Sequence, residues 1–548
     1  MDEIKNSAPA FPPEARPLFP GSPYSPSHPA ARRIAYAMVG LLVATLVNLG
    51  NGLLLANIPV LVGANGGDLV LTSLLPGFYI ACNAAANLLL VKGRAQFGIP
   101  FITRLLLLAY ASSALLLLAA PAAYCVAVLL AAFSGFAAAG MTTLSVYYFM
   151  QSLSQPVKPL GLVLAVGAVQ FGTPLGHLVP VDFLQAGGWR SLALVQILIA
   201  LVVSLAIASQ PLPPSDRKAA FEPLDAATFS LVLVANVLLC SVLSAGRILW
   251  WSNAPWLGWT LAIAIPLYAT AFCIEALRTN PLLRLSWYGT RTIAVFACVA
   301  LFVRLALAEQ SYGAVGLLSA TNLDDDQFHQ LYVCILLAEM LGTVAAALTL
   351  AEKRIPYQVL VATLLIAGGA WLDSGSDNLT RPANLMASQS LIAFGTTLFV
   401  GPTLVFGAIQ MLKKGGDYLV SLVVLFSITQ NIGGLAGSAL LGTYQIVRTK
   451  YHGAVLADDM MIGDPFVAQR LQLGEEAIEN AIGDPTARVI ESAGLVSQSL
   501  AREAAILAFN DCFLLVTFVA LGVAALLAGV IIRTGFPTRS DASQGTLP

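Results

Sequence analysis

Fourteen apolar runs, most of them close to twenty residues long, dominate this chain and leave few folds open to it. A helix needs ~20 residues, at ~1.5 Å rise each, to cross a hydrocarbon core ~30 Å thick. Hydropathy places the runs near residues 34–62, 69–91, 101–121, 123–150, 159–181, 189–209, 227–246, 255–274, 292–319, 328–350, 356–372, 383–411, 418–446 and 505–532. The expected fold is therefore all-α and integral to a lipid bilayer. Composition agrees: 57% of the 548 residues are hydrophobic and 10% charged, against roughly 25% charged in soluble domains.

Other chemistries are set aside by what the sequence lacks. The net charge is −1 and no long basic stripe occurs, so nucleic acid is not an expected partner. The seven cysteines lie in or beside apolar runs without a C-x-x-C pair and read as small packing residues. The four histidines are scattered along the chain, without metal-ligand spacing. No cofactor and no enzymatic activity are expected. A G-x-x-x-x-G-K-[ST] phosphate loop is also missing, which excludes ATP as the direct energy source.

Orientation follows from Lys and Arg, because short loops that carry them are poorly translocated. With the amino terminus inside, cytoplasmic loops and tails hold 19 of the 28. Arg94, Arg278, Arg284, Lys413 and Arg533 are among them, while short outer loops hold Arg190, Arg247 and Arg381. Both termini are expected in the cytoplasm. Residues 1–33, with eight prolines before residue 32, read as a disordered cytoplasmic tail, and 534–548 as a second tail. The long polar interruption at 447–504 falls outside. Its Phe466, Leu471, Ile478 and Ile482 suit short amphipathic helices, or simply solvated ones.

Charges inside a span cost ~2.5–3.5 kcal/mol each on insertion scales, so they are functional candidates. Arg304 and Glu339 fall at similar depth on neighbouring spans 9 and 10 and are expected to meet. Two readings stand: a structural ion pair, or a carboxylate that alternately takes up a proton and pairs with the arginine. Glu309 sits ~140° around the helix from Arg304 and is a separate candidate for proton coupling. Asp511 is read as a cap at the start of the last span, and His177 as a solvated end of span 5. The amides Asn48, Asn51, Asn83, Asn87, Gln170, Gln389, Gln430 and Asn431 either line a substrate cavity or hold helices together. Arg247, Trp250, Trp251 and Trp256 read as an aromatic belt at the outer boundary.

Two stretches carry a family resemblance. One is NIGGLAGSALLGT (431–443), followed by RTKYH (448–452) and AFNDCF (508–513); the other is GTPLGHLVPVDFLQAGGWR (172–190). With fourteen spans and a long loop before the last, the chain resembles the fourteen-span drug:proton antiporters of the major facilitator superfamily, the EmrB/QacA type. That resemblance implies two six-helix bundles, 34–209 and 291–533, with two extra spans within a 210–290 linker. It also implies proton-coupled efflux of small hydrophobic or amphipathic compounds from the inner membrane, a periplasmic adaptor and outer-membrane channel as partners, and an exporter-like fifth span marked by Gly172, Pro174 and Gly176. In physical terms, those residues allow a kink and close helix approach. The chain departs from the family at three places: Leu49 to Asn51 stand where an acid is usual, Ala95 replaces an aspartate after span 2, and Ala131 stands at the place of a fourth-span arginine. Uptake of a small organic anion, with Arg304 as its counter-ion, is the alternative reading.

Overall fold

A computed structural model describes residues 15, 17, 19, 21–64, 66–321, 323, 325–458, 460, 465–479 and 481–534. Lys5, Arg16, Asp324, Arg539 and nearly all of the 534–548 tail lie outside the described residues. The described residues are helical with short connections, and 14 helices are long and apolar enough to span a bilayer. Spans 1 to 7 are Ala30–Ala56, Leu69–Phe97, Ile99–Ala119, Tyr124–Ser152, Leu160–His177, Trp189–Ser209 and Pro223–Leu249. Spans 8 to 14 are Pro255–Leu277, Arg291–Ala320, Asp326–Leu348, Glu352–Asp373, Pro382–Lys414, Gly416–Asp458 and Pro485–Arg533. Outward-facing leucines such as Leu205 and Leu348, 75% and 81% exposed, are accounted for by a lipid solvent.

The helix pairing repeats with an offset of eight spans. Spans 1–5, 2–4, 3–6 and 1–6 pack in the first bundle, and spans 9–13, 10–12, 11–14 and 9–14 in the second. The two bundles meet where span 5 touches spans 10 and 12 and where span 2 touches span 13. Span 7 packs along span 2, reaches span 13 and carries span 8 on its other side, so the extra pair flanks the seam between the bundles.

At the end of spans 2, 7 and 8 expected to be cytoplasmic, buried charges tie the extra pair in place. Asp225, fully buried in the first turn of span 7, accepts from Lys92 Nζ at 2.9 Å and from Arg278 at 2.7 Å. Arg278 also holds Glu275 and Glu222, each at 2.8 Å, and its hydrogen bond keeps the Glu222 carboxyl below the usual range. A carboxylate at a helix amino end is favoured by the backbone dipole as well. Asp225→Ala leaves Lys92 without its partner and Arg278 with one carboxylate fewer in a largely closed site, and is expected to cost roughly 3–5 kcal/mol, read as a lowered melting temperature in detergent. An unchanged melt would show that the network is not needed.

Two expectations are corrected. Where the amino-terminal tail is described, it is packed and not disordered up to residue 33. Tyr24 N donates to Pro214 O at 2.9 Å, Tyr24 Oη to Asp216 at 2.8 Å, and His28 pairs with Gln151 at 2.9 Å. Proline keeps this segment out of helix, but its polar groups find partners in the linker and span 4, and helix begins at Ala30. The other correction concerns the last span, whose helix runs unbroken from Pro485 to Thr534, because residues 485–504 are mostly good helix formers. Asp511 therefore lies mid-helix and does not cap. It accepts from Arg448 Nε and lies beside His452 Nε2, both at 2.6 Å. Across the 447–504 loop, span 13 continues to Asp458 and a helix at Pro465–Ile478 packs on the extension of span 14, with Ser492 Oγ donating to Leu471 O at 2.6 Å.

Candidate functional site

A cavity of about 550 Å³ lies at the seam of the bundles, lined by residues of spans 1, 2, 4, 5, 7, 9, 10, 12 and 13. Its wall is largely apolar. Among the described lining residues Glu339 is the one carboxylate, against the three guanidinium groups of Arg94, Arg247 and Arg304.

Arg304 and Glu339 both reach this cavity, but they do not form the expected ion pair. Arg304 Nε donates instead to the Gln430 carbonyl of span 13 at 2.8 Å. Span 13 offers that carbonyl because its helix widens to a π-turn over Ile428–Ile432, which loosens the regular backbone ladder. Glycine supplies the space: a Cβ on Gly434 would lie 2.8 Å from Arg304 Nε, and one on Gly442 would lie 2.7 Å from Arg247 Cδ. The glycine-rich 431–443 stretch thus makes room for two arginines. Glu339, 4% exposed, has no hydrogen-bond partner at Oε2. Position along the chain gave the two charges a similar expected depth but could not supply their azimuth around each helix.

The candidate amides split between the two roles. Asn48, Asn51, Asn83, Asn87, Gln170, Gln430 and Asn431 line the cavity. Asn431 Nδ2 donates to Asn83 Oδ1 at 3.1 Å and Asn87 Nδ2 to Ser427 Oγ at 3.0 Å, so these also join span 2 to span 13. Asn48 Nδ2 donates to Val169 O of span 5 at 2.9 Å. In the fifth span, Gly172 and Gly176 press on span 1: a Cβ would meet Leu49 N at 2.6 Å and Gly52 C at 2.5 Å. Pro174, between them, faces the cavity.

Glu309 and Gln389 lie away from the cavity, both fully buried. Gln389 Nε2 donates to Glu309 Oε1 at 2.8 Å and to Asp373 Oδ2 at 2.7 Å. Asp373 was missed from sequence. It closes the apolar run of span 11 just before Ser-Gly-Ser-Asp, where a carboxylate reads as the first loop residue, and its 2% exposure comes from the packing of spans 12 and 14 along span 11.

Other placements differ from expectation through packing. Arg94, assigned to a cytoplasmic loop, is 1% exposed and donates to Gly140 O at 2.5 Å. His177 is buried against Tyr332, the rings stacked 4.1 Å apart. Arg247 lies over the Tyr312 ring at 4.9 Å, and Trp251 Nε1 donates to Thr443 Oγ1 at 2.9 Å. These two join span 7 to the second bundle and do not form a lipid-facing belt.

No protein-family model matches this sequence, and no curated protein does. Solved structures are similar in fold. The human organic anion transporter MFSD10 (TETRAN) aligns with TM-score 0.52 and 13% identity over 90% of this chain and 100% of its own. Tetrameric PepTSo2 aligns with TM-score 0.51 and 13% identity over 91% and 100%. The major facilitator superfamily proton:xylose symporter XylE, bound to 6-bromo-6-deoxy-D-glucose, aligns with TM-score 0.51 and 11% identity over 90% and 95%.

Proposed function

From the major facilitator fold that this chain shares with those structures, we propose that it is a secondary transporter that exports small amphipathic compounds in exchange for protons. One observation carries the reading: a cavity of about 550 Å³ between two repeated bundles, mostly apolar, with Glu339 and Arg304 at its wall. Rocking of the bundles about such a site alternates its access, and a carboxylate facing it can take a proton from one side and release it to the other. The direction rests on the resemblance of span 5 to exporters. In this reading the protein lies in a cell inner membrane with both termini cytoplasmic, and the 447–504 helices face outward as the surface for a periplasmic adaptor and outer-membrane channel. Uptake of an organic anion is the second reading, favoured by three guanidinium groups against one carboxylate on the cavity wall.

Vesicle transport of a compound panel, in both membrane orientations and with or without an imposed pH gradient, tests the proposal. Inverted vesicles with an acid lumen are expected to accumulate amphipathic compounds, and to stop when the gradient is collapsed. Accumulation of anions in right-side-out vesicles with acid outside would favour the second reading. No gradient-dependent movement of any compound in either orientation would remove both.

A further inference from the structure

The Glu309, Asp373 and Gln389 cluster is unlike any other in the described protein: two carboxylates buried away from the solute cavity and held on the two sides of one amide nitrogen. Two neighbouring oxygens are left over. Glu309 Oε2 and Gln389 Oε1 are buried and have no hydrogen-bond partner, which is costly unless something occupies the site.

Among the described residues no cation compensates the two acids. Arg304, five residues before Glu309, is engaged with the Gln430 carbonyl. Asp511 of span 14 is held by Arg448 and His452 of span 13, and Arg247 lies over Tyr312. Arg381, at the start of span 12, donates to the carbonyls of Asn378 and Thr380, and Asp377, after span 11, accepts from Leu379 N and Thr380 Oγ1. Two adjacent carboxylates in a closed site cannot both stay ionised without a counter-charge, and one proton between them removes both the repulsion and half of the buried charge.

We infer that Glu309 and Asp373 hold one proton between them, forming a proton site separate from Glu339. The surrounding backbone suits exchange with both sides. Glu309 opens a π-turn, Glu309–Ala314, and the next residue, Gln310, both faces the cavity and donates to the Gln389 carbonyl at 3.3 Å. Asp373 ends span 11 and adjoins the loop where Asn510 Nδ2 donates to Ser376 O at 2.7 Å. A proton can therefore leave the pair toward the cavity through the π-turn or toward the span 11–12 loop through Asp373. Its use in coupling rests on the transport reading; its presence does not.

Infrared difference spectroscopy of the reconstituted protein in a Glu339→Gln background, at neutral pH in sodium-free buffer, reads the proton directly. A protonated-carboxyl band is expected, lost in both Asp373→Asn and Glu309→Gln. Should Asp373→Asn not fold, Glu309→Gln carries the same test. A band that survives both substitutions, or one that disappears when sodium is added, overturns the inference, the latter by making the cluster a metal-cation site. In transport, Asp373→Asn is expected to lose gradient-driven accumulation and keep solute exchange at equal concentrations. If the band is present in the Glu339→Gln background but the wild-type protein moves no compound, the transport reading alone is overturned.

Discussion

Glu339→Gln is expected to yield a folded protein that still exchanges bound compound but no longer accumulates it in response to a pH gradient. Glutamine keeps the shape and hydrogen-bonding capacity of a protonated glutamic acid, so the packing of span 10 is preserved. What disappears is the ability to alternate between charged and neutral forms at the cavity wall. Because Arg304 donates to the Gln430 carbonyl and not to Glu339, the double change Arg304→Met with Glu339→Leu is not expected to restore transport, as it would for a purely structural ion pair. Arg304→Met alone is expected to weaken binding, since it removes a guanidinium from the cavity and leaves the Gln430 carbonyl without its donor. Counterflow and gradient-driven uptake, measured side by side, separate the two effects. Gradient-driven accumulation at the wild-type level in Glu339→Gln would sink the assignment of a coupling role to Glu339.

Gly176→Leu is expected to remove most of the folded protein from the membrane. A Cβ at this position would meet Gly52 C at 2.5 Å and Leu53 N at 2.7 Å, and these backbone atoms cannot turn aside as a side chain would. The facing glycine is equally confined, since a Cβ on Gly52 would lie 2.7 Å from Gly172 O. Overpacking of this kind costs about 1–3 kcal/mol for small insertions, which is the range expected for Gly176→Ala, and a leucine must push spans 1 and 5 apart. Gly258→Leu in span 8 is the control, because a Cβ there has no neighbour within 4 Å. Size-exclusion profiles and melting curves in detergent report the difference. If Gly176→Leu eluted and melted as the wild type does, the close crossing of spans 1 and 5 would not constrain the fold.

Much of the architecture was legible in the residues taken alone. Spanning helices are written in local hydropathy, so all fourteen fell where the apolar runs placed them. Their ends were less legible: residues 485–504 are polar enough to read as loop, yet their helix-forming side chains extend span 14 without a break. The glycines of 172–176 and 431–443 announced close contacts without saying what they contacted. In the fold, one set admits the backbone of span 1 and the other makes room for Arg304 and Arg247.

The sequence by itself determined the solvent of this protein, the number of its spans and the presence of Arg304, Glu309 and Glu339 among them, because each depends on the composition of a short stretch of chain. Only the tertiary structure decided which groups meet. Arg304 found a carbonyl 126 residues away, and Glu309 came to share an amide with Asp373, which the chain itself presents as the last residue of a helix. Such partners are set by the rotation and depth of helices packed from distant parts of the chain. An apolar surface turned toward lipid and one turned toward a neighbouring helix have the same composition, so hydropathy carries no record of which way a span faces.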